Sequence, residues 1–307
     1  MVVFLVALPL CLGIALASGA PPLSGIIAGI IAGLVIGFLS NSHISVSGPA
    51  AGLAAIVLVG ISDLGSFELF LVAGIIAGII QLILGFVRAG SISNYFPNNV
   101  IEGMLAGIGV IIILKQIPHA VGYDKDFEGN QRIFDGFNLT EYVTNLSNAI
   151  SPGAIVITLV SLGILLTWEK IPALKKIKML PGALVAVAVG ILLNEVFKGS
   201  SLEIAKEHLV TLPVPESAED FKNLITFPDF TGFMNPKVWI LGATIAIVAS
   251  IETLLCIEAS DRMDAHKRIT DTNLELKAQG IGNLISAMIG GLPMTSVVVR
   301  SSANANA

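Results

Sequence analysis

Charge is scarce in this sequence. Only 13% of its 307 residues are Asp, Glu, Lys or Arg, about half of the roughly 25% that a soluble globular domain carries. The mean hydropathy is +0.85 and 54% of the residues are hydrophobic, which excludes a soluble fold. Basic residues are few as well: 17 Lys and Arg stand against 22 Asp and Glu. No basic stripe is present, so no nucleic-acid partner is expected. The four histidines, His43, His119, His208 and His266, have no metal-ligand spacing. Neither a Gly-x-Ser-x-Gly elbow nor a P-loop appears, and no metal or cofactor is expected. The two cysteines, Cys11 and Cys256, both fall in apolar runs, which argues against a structural disulfide.

What the chain does have is a series of continuous apolar runs, near the ~20 residues that cross a bilayer as a helix. Their pattern predicts an all-α polytopic membrane protein with spans at 2–18, 23–39, 49–61, 67–87, 99–117, 152–168, 180–197, 238–258 and 274–289. A tenth span begins near Thr295 and is cut by the last residue, so the chain reads as a truncated membrane domain. Spans one to five occupy 1–118 and spans six and seven 152–197. Spans eight to ten, the last incomplete, occupy 237–307, and polar loops fill 119–151 and 198–236. Met1–Ala17 lacks the positive start of a signal peptide and is read as the first span. Two sequons, at Asn138 and Asn145, lie in the first loop and read as chance matches.

Short loops rich in Lys and Arg mark the cytoplasmic side. They are the loop with Lys170, Lys175, Lys176 and Lys178, the loop with Arg262, Lys267 and Arg268, and the step after span four at Arg88. The expected topology is a multi-pass protein of the cell membrane, with a cytoplasmic N-terminus and both long acidic loops outside.

Glycines punctuate the spans. Gly25, Gly29, Gly33 and Gly37 recur every fourth residue in span two, a ridge that lets a neighbouring helix approach closely. Gly74 and Gly78 in span four and Gly103 and Gly107 in span five repeat the device.

Two stretches break the helical pattern. Ser45-Val46-Ser47-Gly48-Pro49-Ala50-Ala51 and Gly290-Gly291-Leu292-Pro293-Met294-Thr295-Ser296-Val297-Val298-Val299-Arg300-Ser301-Ser302 each open with small, polar or helix-breaking residues and then become helix-compatible. Non-helical backbone is tolerated at membrane depth only where it is buried in protein or lines a wet cavity. Paired broken helices in corresponding parts of two repeats point to a transporter's binding site. The start of a half-helix suits an anion, because its amides are free and its dipole is positive there. Arg300 adds a fixed charge to the second stretch.

Glu252 sits alone among apolar residues in span eight. An unpaired carboxylate there costs roughly 2.5–3.5 kcal/mol on insertion scales, so it reads as a pathway residue or as an ion-pair partner for Arg300. Gln279 and Asn283 share a face of span nine and are expected to bond neighbouring backbone. Glu102 and Lys115 lie near the ends of span five and read as snorkelling to water. Asp261-Arg262-Met263-Asp264 has the spacing with which membrane prenyltransferases hold magnesium-bound pyrophosphate, but no second such cluster exists. The chain is therefore not read as an enzyme.

Several runs, in order along the chain, resemble the SulP family of inorganic anion transporters. They are Gly19-Ala20-Pro21-Pro22-Leu23-Ser24-Gly25, Ser42-His43-Ile44-Ser45-Val46-Ser47-Gly48-Pro49 and Ser250-Ile251-Glu252-Thr253-Leu254-Leu255. Asp261-Arg262-Met263, Asn273-Leu274-Glu275-Leu276, Gln279-Gly280-Ile281-Gly282-Asn283, Gly290-Gly291-Leu292-Pro293 and Val299-Arg300-Ser301 continue the match. The resemblance implies a seven-plus-seven inverted repeat split into core and gate domains, with half-helices in spans three and ten. Only spans 1–10 would be present here, with a STAS domain absent. It implies an anion held by the backbone of Gly48, Pro49, Ala50, Val298 and Val299 and by the charge of Arg300. Relatives place a polar residue and an aromatic in span one, where this chain has Leu10 and Ile14. Val299 stands where serine is common, so a hydroxyl ligand is missing.

Glu252 matches an acidic position linked to a co-transported cation. Cys256, one turn on, is a poor sodium ligand, so a proton is expected in preference to sodium. The expected function is secondary active transport of a small inorganic anion, sulfate-like or bicarbonate, by core-versus-gate alternating access, with a possible homodimer. An uncoupled channel or exchanger and a nucleobase permease of similar fold are the alternatives.

Overall fold

A computed structural model describes residues 2–91, 103, 106, 110, 113, 117, 120–122, 151–168, 170, 182–200, 202–204 and 225–305. The chain divides into two compact units, residues 1–6 with 106–211 and residues 7–105 with 212–307.

The second unit carries most of the described structure. Helix α1 covers Val2–Ala17, with residues from 7 onward in this unit. Helix α2 runs over Pro22–Leu39, with Pro22 at its first turn and a widened π segment at Ala32–Ile36. Strand β1 is Ser47–Pro49, and helix α3 follows at Ala51–Leu64. A 3-10 turn, Ala51–Leu53, opens α3, and the left-handed Gly65 (φ 80°) ends it. Helix α4, Phe67–Phe86, starts at a Ser66 cap whose hydroxyl accepts from the Leu69 amide.

The first unit holds α5, Pro152–Trp168, and α6, Gly182–Phe197, which pack on each other. A Cβ on Gly190 would touch Ile157.

The second unit resumes with α7, Pro236–Met263, capped by Asn235 with Pro236 at its first turn. Helix α8, Thr272–Met288, is capped by Asp271, whose carboxylate accepts from the Asn273 and Leu274 amides. Strand β2, Met294–Ser296, and helix α9, Val298–Ala305, complete the described chain. By length and composition α2, α4 and α7 are long and apolar enough to cross a membrane, and α3, α5 and most of α6 are shorter apolar helices.

The boundaries differ from the sequence pattern at the broken spans. The third span begins at Ala51, not 49, because Pro49 is held in a strand. The tenth helix begins at Val298, not near Thr295, because Thr295 lies in β2. The described fold is therefore not purely helical. Span eight reaches Met263, since polar Glu258 and Asp261 extend α7 beyond its apolar run. Of span five only scattered positions are described, and those are helical. Most of both polar loops, the two sequons, Lys175, Lys176, Lys178, Glu102 and Lys115 lie outside the described residues.

Helix α4 is the centre of the second unit. Phe70, Leu71, Val72 and Ala73 are fully buried, and α7 and α8 both pack on it. Glycine sets how closely. At the α4–α8 crossing, a Cβ on Gly78 would stand 2.7 Å from the Leu284 nitrogen, and one on Gly280 2.7 Å from the Leu82 nitrogen. Backbone meets backbone there, the close approach that small residues permit between membrane helices. In α2 the ridge is used at Gly25 and Gly29, which face α1, while Gly33 has open space at its Cβ position. Gly103 meets no described atom within 4 Å, and Gly107 lies outside the described residues.

Candidate functional site

The two broken stretches meet. β1 and β2 pair antiparallel, with Ser47 opposite Ser296, Gly48 opposite Thr295 and Pro49 opposite Met294. The Val297 amide extends the ladder by donating to the Val46 carbonyl (3.0 Å). The local cause is proline. Pro49 and Pro293 bias the residues before them, Gly48 and Leu292, away from helix. Pairing then satisfies amides and carbonyls that would be orphaned in an apolar interior. All six ladder residues are buried.

Helix α8 braces both strands. Asn283 Oδ1 accepts from the Met294 amide (2.6 Å), and Asn283 Nδ2 donates to the Met294 carbonyl (3.0 Å) and to Gln81 Oε1 (2.6 Å). One turn earlier Gln279 Nε2 donates to Ser47 Oγ (2.5 Å) and to Glu275 Oε1 (2.9 Å). The fully buried Glu275 also accepts from Ser40. The expected backbone bonding thus holds for Asn283, whereas Gln279 bonds side chains. Helix α9 is tied back to the segment before β1. The Val46 amide donates to Ser301 Oγ (3.0 Å), and Asn304 Nδ2 donates to the Ile44 carbonyl (3.0 Å). Ser45 and Ser296 share a hydroxyl–hydroxyl bond.

The ladder leads into two helix starts, and α7 lies against both. The Gly52 backbone, at the beginning of α3, lies against the Glu252 carboxylate, where a Cβ would stand 2.8 Å from Oε1. The start of α9, at Val298, lies against α7 near Cys256. Thr253 Oγ1, between them on α7, accepts from the Ser296 amide (3.4 Å). Glu252 Oε2 is buried with no described partner.

Arg300, in the first turn of α9, is 1% exposed. Its guanidinium lies directly over Gly48, where any Cβ would collide with Nη1. This is why the position before Pro49 has no side chain. Arg300 Nη2 donates to Cys11 Sγ at 3.5 Å, and Nε has no described partner. The ion pairs among the described residues join Lys198 to Glu195, Arg262 to Glu258 and Arg268 to Asp264, and none includes Arg300. An ion pair between Glu252 and Arg300, one reading of the sequence, is therefore not formed.

The other residues singled out from the sequence are placed as follows. Ala50 is buried beside the ladder, and Val298 opens α9 near Cys256. The Val299 side chain is 66% exposed, and Leu10 is 38% exposed. Ile14 is half-buried against the apolar core. The α1 residue that reaches the guanidinium is Cys11, which sequence reasoning set aside as an apolar-run cysteine. Its position three residues before Ile14, on the face that meets Gly25 and Gly29, was the available signal.

Asp261 and Asp264 are occupied within their loop. Asp261 accepts from the Thr270 amide (2.8 Å) and hydroxyl (2.6 Å). Asp264 accepts from Arg268 Nε (2.6 Å) and from the His266 amide (3.0 Å). The Arg268 hydrogen bond, with that amide, holds the Asp264 carboxyl below the usual carboxylate range. The two aspartates are loop staples between α7 and α8.

The sequence profile of the Sulfate permease family matches residues 1–307. The putative sulfate transporter YvdB of Bacillus subtilis is 30% identical over 310 residues, 99% of this chain and 54% of that protein. The bicarbonate transporter BicA of Picosynechococcus is 24% identical over 296 residues, 94% of this chain and 49% of that protein. Among solved structures, the transmembrane domain of a cyanobacterium bicarbonate transporter BicA matches with a TM-score of 0.79 at 23% identity, covering 99% of this chain and 74% of that one. SLC26A9 matches with a TM-score of 0.71 at 16% identity, covering 99% and 49%. The chain spans about half the length of the curated relatives it matches. These relatives are transporters by name, which removes the prenyltransferase reading, and the fold they share is that of a multi-pass helical membrane protein. With the family profile matched from the first residue to the last, the chain belongs to the Sulfate permease family.

Proposed function

We propose that this chain carries the anion-binding half of a secondary active transporter for a small inorganic anion, sulfate-like or bicarbonate. The single observation that carries the reading is Arg300: a buried guanidinium against Gly48 of β1, in the first turn of α9, with an unpartnered Nε and no described carboxylate on it. An uncompensated cation at membrane depth is costly, and a mobile anion held by it and by the nearby strand and helix-start backbone would supply the missing charge. Gly48, Pro49, Ala50, Val298 and Val299 would form the backbone cradle around that anion. Leu10 and Ile14 would supply apolar walls from α1.

Glu252 is the cation-coupling residue in this reading. Its carboxylate lies against Gly52 at the start of α3 and keeps Oε2 without a described partner. A proton is favoured over sodium, because the neighbouring Cys256 offers sulfur, a poor ligand for a hard cation. The seven-plus-seven inverted repeat with core-versus-gate alternating access is supported by the division of the chain. Residues 7–105 and 212–307, which contain the ladder and Arg300, would be the moving core. Residues 106–211 would belong to the gate. A cell-membrane location with a cytoplasmic N-terminus and a homodimeric assembly complete the proposal.

The test is a radiolabelled uptake panel of sulfate, bicarbonate, chloride and dicarboxylates on the full-length protein at two pH values. Saturable uptake of one inorganic anion that rises with a proton gradient is expected. Voltage-driven current without proton movement would make the protein a channel or exchanger instead. No uptake of any anion in the panel would remove the proposal.

A further inference from the structure

Cys11 is the described side chain that touches the guanidinium of Arg300, and it does so from a position that two glycines make possible. A Cβ on Gly25 would collide with the Cys11 carbonyl, and a Cβ on Gly29 would stand 2.8 Å from Cys11 Sγ. Helix α1 therefore sinks into the first half of the α2 ridge, and Cys11, 3% exposed, has its sulfur pressed between Gly29 and the arginine. The ridge that reads as a packing seam also sets the distance from Cys11 to Arg300.

The chemistry of the contact is unusual for a buried arginine. A guanidinium offers five N–H donors, and a neutral thiol sulfur is among the weakest acceptors that a protein supplies. Carboxylates make the strong, charge-assisted partners. A carboxylate at position 11 would neutralise Arg300 permanently, and a hydroxyl would hold it more firmly than sulfur does. The thiol occupies the same place without satisfying the charge, and Nε next to it is left without a partner.

We infer that Cys11 is an affinity-setting residue of the anion site, a weak placeholder on Arg300 that an incoming oxyanion displaces. This rests on the anion-site reading of Arg300 and adds to it a residue that sets how tightly the anion is held.

The test is sulfate and bicarbonate binding, by calorimetry, to the full-length protein carrying Cys11→Ala, Cys11→Ser or Cys11→Asp, with thermal melting of each variant. The expected order of affinity is Ala at least equal to wild type, Ser about tenfold weaker than Ala because oxygen is the better acceptor, and Asp without measurable binding. A residue that only filled space would give another order, with the serine variant close to wild type and the alanine variant weakest, owing to the cavity. Where Cys11→Asp fails to melt cooperatively, the Ala–Ser pair decides. Serine binding as tightly as alanine overturns the inference. If Arg300→Ala binds anion as well as wild type, the anion-site reading itself fails, whatever residue stands at position 11. If Arg300→Ala loses binding while the Ala–Ser order is reversed, only the role of Cys11 falls.

Discussion

The carboxylate of Glu252 lies on the first turn of α3 so closely that a Cβ on Gly52 would stand 2.8 Å from Oε1 and 3.0 Å from Oε2. The start of a helix is where its dipole favours a carboxylate. Gly52→Ala should push the carboxylate off the helix start. The expected outcome is loss of proton-driven uptake with anion binding retained, read as uptake against an imposed pH gradient. An unchanged gradient response would separate Glu252 from coupling.

Glu252→Gln tests the same residue without steric change. The amide keeps the size of the carboxylate, but no proton can be taken up or released. Uptake should become independent of pH while anion affinity stays within a few-fold of wild type. Persistent pH dependence in vesicles would rule out the coupling role.

The Asn283 clasp on Met294 leads to a positional prediction. Asn283→Asp keeps the acceptor for the Met294 amide but turns the other oxygen towards the Met294 carbonyl and Gln81 Oε1, both acceptors. Leaving such buried groups unsatisfied costs about 1–3 kcal/mol each. Thermal stability should fall and anion affinity with it, because β2 leads directly into the helix of Arg300. Melting and calorimetry on the same preparation check both. Full affinity in a destabilised protein would show that the clasp does not position the site.

Gly78→Ala and Gly280→Ala should each destabilise by roughly 1–3 kcal/mol, since the added methyl would meet backbone rather than a movable side chain. The same crossing carries Gln279 and Asn283, which brace the ladder, so the anion Kd should weaken together with stability. Thermal melting with ligand titration checks both effects.

The α7–α8 loop gives a pH prediction outside the membrane. Arg268 depresses the Asp264 pKa, so the folded state holds the carboxylate ionised more strongly than the unfolded chain does. The contribution is complete above the ordinary carboxylate pKa of about 3.9 and is lost only as pH falls through the lower folded value. Asp264→Asn should lower the melting temperature equally at pH 7 and pH 5. The deficit should narrow only below about pH 4. A deficit that already narrows between pH 7 and pH 5 would contradict this staple.

The long apolar runs made most of the helices legible, since a span's composition is set by lipid and needs no knowledge of its neighbours. The breaks at Pro49 and Pro293 were legible for the same local reason. Their pairing was not, because the register of Ser47 with Ser296 joins residues far apart in sequence. Cys11 is not legible as a contact of Arg300, because a cysteine in an apolar run looks like any other small apolar residue. Only the depth to which Gly25 and Gly29 admit α1 brings its sulfur to Arg300. The partners of Glu252 were hidden likewise, since a lone carboxylate in a span does not reveal whether arginine or a helix start faces it.

Arg300 is proposed as an uncompensated cation waiting for an anion, and calorimetry with sulfate and bicarbonate on the full-length protein and its Arg300→Ala and Arg300→Lys variants tests that most directly. Arg300→Ala should abolish saturable binding. Arg300→Lys, which keeps the charge but not the planar fork, should retain it at reduced affinity. Anion binding to Arg300→Ala with the affinity of wild type would contradict the account.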